Sequence, residues 1–131
     1  MKKKIHVVGA IIENEQNEIF CALRSEHMSL PNLWEFPGGK LEIQETPEIA
    51  LQREILEEFN CEIMVNEKVE DTTYEYDTFI IRLETYMAKI TAGQPTAIEH
   101  ADTKWVKRED LHLLNFAPAD IPAVDKLISQ N

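Results

Sequence analysis

The sequence predicts an α/β domain of the α+β kind, with a mixed β-sheet covered by helices. Three observations lead there. Most of the chain reads as short extended segments separated by turn residues. One central segment has a helical apolar period with a helix-start signature before it. A second helical stretch follows near the C-terminus. The 131 residues suit one domain, 1–131. A chain of that size buries about two-thirds of its unfolded surface and needs no staples.

The elements follow in order. Residues 4–13 read as a strand, 14–17 as a turn and 18–24 as a second strand. Met1-Lys2-Lys3-Lys4 before an apolar run imitates a signal peptide. The run is short and meets Glu13 and Glu15, so a buried first strand is expected. Residues 25–33 form an irregular connection, 34–36 a short extended piece, and Pro37-Gly38-Gly39 breaks it. Thr46 is the expected N-cap of the central helix, with Pro47 at its first position and Glu48 complementing the dipole. The helix ends near Phe59, with Asn60 as a left-handed cap. Residues 61–69, 70–76 and 79–90 read as extended, 91–95 as a loop and 103–106 as one more strand. The last helix starts near Asp120, itself a good N-cap, and runs to about Ser129.

Composition narrows the function classes. The net charge of −11 argues against binding polymeric nucleic acid, which needs basic patches. A phosphorylated small molecule stays open if cations bridge the two negative partners. No stretch approaches the roughly 18 apolar residues of a membrane span. Cys21 and Cys61 lie in or beside apolar runs, as expected of reduced, buried thiols in a cytoplasmic protein. The expected state is a monomer or a small homo-oligomer.

The central helix carries the chemistry. At roughly 100° per residue, Ile49, Leu51, Ile55, Leu56 and Phe59 cover one side. Glu54, Glu57 and Glu58 gather on nearly the opposite side. These carboxylates repel, and they sit in the half of the helix where the dipole disfavours negative charge. A hard divalent cation would relieve that, and Mg²⁺ prefers oxygen ligands shared with phosphates. A solvated acidic face is the plain alternative.

The spacing decides between them. Gly39, Glu45 and Arg53-Glu54-Ile55-Leu56-Glu57-Glu58 follow Gly-x5-Glu-x7-Arg-Glu-U-x-Glu-Glu, with U a bulky aliphatic residue. At this chain's own residue frequencies the six Gly, Glu and Arg positions coincide with odds of roughly 3 × 10⁻⁷ per start. The pattern resembles the Nudix box. It departs at Asn60, where the box has Gly, and at Cys61, where it has an aliphatic residue. Neither departure removes a ligand. Leu33-Trp34-Glu35-Phe36-Pro37-Gly38-Gly39-Lys40 is similar to the entry of the box in the MutT-like branch. Phe116-Ala117-Pro118-Ala119-Asp120-Ile121-Pro122 resembles the ending of CTP pyrophosphohydrolases.

The resemblance implies a Nudix α/β/α sandwich with a mixed sheet. It implies water attack on the β-phosphorus of a nucleoside triphosphate, with Mg²⁺, or Mn²⁺ in its place. Glu54, Glu57 and Glu58 would hold the cation with the carbonyl of Gly38, supported by Glu45 and oriented by Arg53. Gly39 and Lys40 would lie along the substrate. Arg24 matches a phosphate-contacting arginine, or is a strand-end surface charge. Glu99 is a further ligand or the general base, or an exposed loop acid. Asp120 reads the base, caps the last helix, or does both. Trp34, Phe36 and Phe116 stack on the base or belong to the core. The expected substrate is of the CTP or dCTP type, with 8-oxo-dGTP as the rival. A different Nudix substrate, such as a nucleotide sugar, is a more distant reading. A nucleotide-binding sensor without catalysis is a reading of another class, and the complete carboxylate set speaks against it.

Overall fold

The computed structural model describes residues 1–130. Its elements are β1 (Lys3–Ile12), β2 (Glu18–Leu23), β3 (Trp34–Glu35), β4 (Gly38–Lys40), α1 (Pro47–Phe59), β5 (Glu62–Glu75), β6 (Phe79–Ala92), β7 (Asp102–Lys107) and α2 (Ile121–Ser129). β1 is apolar on both sides because both are covered. Val8, Ala10 and Ile12 pack with Leu51, Ile55 and Phe59 of α1. Ile11 packs with Val124 and Leu127 of α2.

Four strands form a mixed sheet in the order β4-β1-β6-β5. β1 and β6 run parallel from Lys3 opposite Phe79 to Ile12 opposite Ala88, while the β4 and β5 pairings are antiparallel. A second, antiparallel sheet has the order β3-β2-β7. It too is covered on both sides, with Phe20 and Ala22 facing one core and Ile19 and Cys21 the other. The expected helix–sheet–helix layering is present, with two sheets in place of one.

Several expectations need correction. Residues 62–75 form one strand, in which irregularities between Val65 and Lys68 and between Lys68 and Glu70 absorb the apparent break. Gly38 and Gly39 do not end the extended chain but pair with β1. Ile49 and Leu56 are about half exposed, at 53% and 51%. The buried stripe of α1 is narrower than the wheel suggests and includes Ala50, whose small side chain suits a close approach to the sheet. A 3-10 turn at Arg108–Leu113 and another at Pro118–Asp120 were not expected from the sequence. Among the described residues no helix is long and apolar enough to cross a membrane.

The caps of α1 form as the sequence predicts. The Thr46 hydroxyl accepts from the Ile49 N–H at 3.2 Å. Asn60 is left-handed (φ 55°, ψ 40°) and its N–H reaches the Leu56 carbonyl. Cys61 is buried in the core beside it. Thr46→Ala is expected to cost about 1 kcal/mol, read as a lower urea midpoint with an unchanged slope.

Candidate active site

A cavity of about 680 Å³ lies over the α2 side of the four-stranded sheet. Its apolar lining includes Ile5 and Val7 of β1 and Ile81 and Leu83 of β6. These alternate along their strands with residues that face α1. Glu54, Glu58, Glu99 and the Gly38–Lys40 strand supply an acidic part of the same lining. Arg24, Glu35, Phe36, Tyr76, His100 and Asp120 add polar and aromatic groups.

The glycines bring the acids to the sheet. In β4, Gly38 lies opposite Gly9 and Gly39 opposite Val8. A Cβ at Gly38 would overlap the Val8 carbonyl, and one at Gly39 would overlap the Glu54 carboxylate. Close approach, not backbone conformation, is therefore what requires glycine here. Arg53 fixes the arrangement from behind. Its Nε and Nη2 donate to the two Glu45 oxygens at 2.7 and 2.9 Å, and its Nη1 donates to Glu54 at 2.6 Å. The guanidinium holds Glu45 below the usual carboxylate range. Glu57 does not line the cavity. Its carboxylate is exposed and lies 3.7 Å from Arg53.

Glu58 has no such relief. Burial first, then the charge of Glu54 and a hydrogen bond shared with it, and then Glu35 and Glu99, push its carboxyl up to about 8. Glu99 is exposed but lines the cavity. Its segment is tied to the end of α1, where the Thr96 N–H donates to the Phe59 carbonyl at 2.8 Å and the Ile98 N–H to that of Glu58 at 3.3 Å. The Ala101 N–H donates to the Leu23 carbonyl at 2.9 Å, beside Arg24.

Asp120 is buried, and the Phe36 N–H donates to its Oδ1 at 3.4 Å. It makes no side-chain cap bond to α2, so the capping expectation is withdrawn. Its backbone is already in the helical region, a geometry that an N-cap side chain does not favour. Burial, and then the nearby Glu35 charge, raise its carboxyl well above the usual range.

Among the aromatic residues, Phe36 lines the cavity and packs on Phe116 at 5.2 Å. Trp34 and Phe116 do not line it. The Trp34 ring is buried in the α2-side core with the Lys104 ammonium 5.3 Å above it, so its role as a base wall is withdrawn. Tyr76 lines the cavity, accepts from the Ala119 N–H at 3.1 Å and stacks on Phe79. Arg82 and Tyr86 alternate onto the α1 side of β6, where they meet Asp71 and Glu84.

Sequence reasoning missed Glu35 and His100. His100 Nε2 lies 2.8 Å from one Glu35 oxygen, and the other accepts from Arg24 at 2.7 Å. A charged residue between two aromatic ones, in a strand, was the available signal for Glu35. Adjacency to Glu99 was the signal for His100.

The model of the NUDIX domain matches residues 7–126. The chain belongs to the Nudix family. Two curated relatives match it over nearly its whole length. It is 35% identical to the 8-oxo-dGTP diphosphatase of Haemophilus influenzae, over 98% of this chain and 95% of that one. It is 36% identical to the CTP pyrophosphohydrolase of Escherichia coli, over 97% and 93%. The fold is shared with the solution NMR structure of the DNA mismatch repair protein MutT, a Nudix hydrolase of methicillin-resistant Staphylococcus aureus. That comparison gives a TM-score of 0.80 and 52% identity, covering all of both chains. The Nudix box thus occupies the β4–α1 part of the cavity, and Asp120 lies outside the box.

Proposed function

We propose that this Nudix chain hydrolyses a nucleoside triphosphate to the monophosphate and pyrophosphate. The observation that carries the reading is a single cavity shared by the box carboxylates Glu54 and Glu58, by Arg24, and by the buried carboxyl of Asp120. Carboxylates suit a cation that faces phosphate, Arg24 suits the phosphates themselves, and Asp120 suits the edge of a base.

The donor set fits a hard divalent cation such as Mg²⁺ or Mn²⁺. It consists of carboxylate and carbonyl oxygens. Every influence on Glu58 raises its carboxyl, which marks negative charge still uncompensated. Among the described residues no three acidic, histidine or cysteine side chains are already drawn around one point. In this reading Glu54, Glu57, Glu58 and the Gly38 carbonyl would hold the cation. A cation held there would lower the pKa of the attacking water and neutralise the leaving pyrophosphate. Glu99 takes the water's proton or adds a ligand. Arg53 keeps Glu54 in place through its own pair with Glu45. Gly39→Ala is expected to displace Glu54 and lower kcat about 10- to 100-fold with the fold retained, as circular dichroism would show.

The base is proposed to be cytosine, as in CTP or dCTP. The E. coli relative's name and the Ala-Pro-Ala-Asp-Ile-Pro ending support it. The H. influenzae relative's name supports 8-oxo-dGTP at similar identity, so that is the second reading. The buried free thiols Cys21 and Cys61 support a reducing, cytoplasmic setting. The test is pyrophosphate release with Mg²⁺ across CTP, dCTP, 5-methyl-dCTP, dGTP, 8-oxo-dGTP, ATP and UTP, with and without chelator. Turnover that vanishes with chelator and favours a cytidine nucleotide is expected. A preference for 8-oxo-dGTP would establish the second reading. Failure to cut any of these triphosphates would overturn both.

A further inference from the structure

His100 is placed where an apolar residue would pack more simply. Its side chain is 2% exposed, and its ring lies against that of Phe59 at 5.0 Å, tilted by 33°. Nδ1 is buried with no hydrogen-bond partner among the described residues. A bare buried nitrogen costs stability. The ring's other nitrogen lies 2.8 Å from Glu35 Oε2. That bond is charge-assisted and partly buried, which makes it one of the stronger contacts available to a histidine.

Glu35 passes the constraint on. Its Oε1 accepts from Arg24 Nη1 at 2.7 Å. Arg24 Nε donates to the Ser29 carbonyl at 2.6 Å and Nη2 to the Ser29 hydroxyl at 3.1 Å. Three of the five guanidinium donors are thereby occupied, which leaves two on a side chain that lines the cavity. Backbone pairing closes the loop of contacts, with Glu35 opposite Ala22 and the Ala101 N–H bonded to the Leu23 carbonyl.

We propose that His100 is a positioning residue for Arg24: its bond to Glu35 holds the carboxylate that locks the guanidinium in the cavity, with two donors free for a substrate phosphate. The inference rests on the phosphate-contact reading of Arg24. His100 also adjoins Glu99, so the test must separate the two routes.

The experiment is a double-mutant cycle read as KM and kcat for the preferred triphosphate with Mg²⁺. Arg24→Ala is expected to raise KM. His100→Leu, which keeps bulk but removes the N–H, is expected to raise KM about tenfold with little change in kcat. His100→Gln carries an amide N–H close to the ring Nε2 position and restores KM. In the Arg24→Ala background, His100→Leu adds no further loss, whereas in the Glu99→Gln background it costs the same tenfold. A His100→Leu loss that persists undiminished in the Arg24→Ala background overturns the proposal. So does a wild-type KM for His100→Leu when Arg24→Ala has raised it. An unchanged KM in Arg24→Ala itself would refute the phosphate reading beneath it. If His100→Leu does not fold, His100→Phe, which keeps a ring against Phe59 but has no N–H, replaces it in the same cycle, with the same outcomes.

Discussion

Glu58→Gln is expected to lower kcat by about three orders of magnitude and to stabilise the protein in chelator. The first effect follows from charge. A cation site supplies several kcal/mol of transition-state stabilisation, and each 1.36 kcal/mol is tenfold in rate. The second follows from linkage. The Glu58 carboxyl ionises near 8 in the native protein and near its ordinary 4.5 when unfolded. Below about 4.5 both states keep the proton and the native protein bears no penalty. Between 4.5 and 8 the unfolded chain releases a proton that the native site retains, so native stability falls as pH rises. Glutamine removes that slope. Melting curves from pH 5 to 8.5 in chelator check it, with the variant expected to gain most at the alkaline end. Wild-type turnover in the variant, or melting curves that run parallel, would remove Glu58 from the cation site.

Asp120→Ala is expected to lower kcat/KM for the preferred nucleotide about 10- to 100-fold more than for the others. A base whose donor or acceptor loses its buried partner forfeits roughly 1–3 kcal/mol, which converts to that range. Asp120→Asn sharpens the test. Its amide keeps an acceptor oxygen at the same place, so it is expected to keep much of the preference. It also removes the ionisation that burial opposes. The native Asp120 carboxyl is held above its ordinary 3.8, so its contribution is complete below that value and is lost as pH rises through the native pKa. Asp120→Asn flattens this fall. Equal losses across all bases in Asp120→Ala would leave Asp120 a packing residue beneath Phe36.

What the sequence showed depended on whether the signal was local. The caps of α1 were legible because Thr46, Pro47 and Asn60 act within one turn. The box was legible because its spacing is a property of one strand and one helix. The single strand β5 was not, because its irregularities arise in the pairing with β6. The capping alternative for Asp120 failed for a related reason. Its partner is the Phe36 N–H, 84 positions away, and only the folded chain brings them together. Trp34 and Phe36 looked alike in sequence and both enter the α2-side core, yet only Phe36 also lines the cavity. Glu35 and His100 were invisible because neither means anything without the other.

The attachment of residues 96–98 to the end of α1 has a mechanical consequence. The last carbonyls of a helix lack partners within it and commonly turn to water, so helix ends fray. Here the carbonyls of Glu58 and Phe59 are taken by Ile98 and Thr96. The loop acid Glu99 thereby rides on the same rigid body as Glu58, and a small slide of α1 across the sheet carries both. Their separation is set by main-chain bonds and not by the wandering of a surface loop. Changes of length are then best absorbed before Thr96, at the left-handed Gly93 turn, where the chain has left β6 and has not yet docked on the helix.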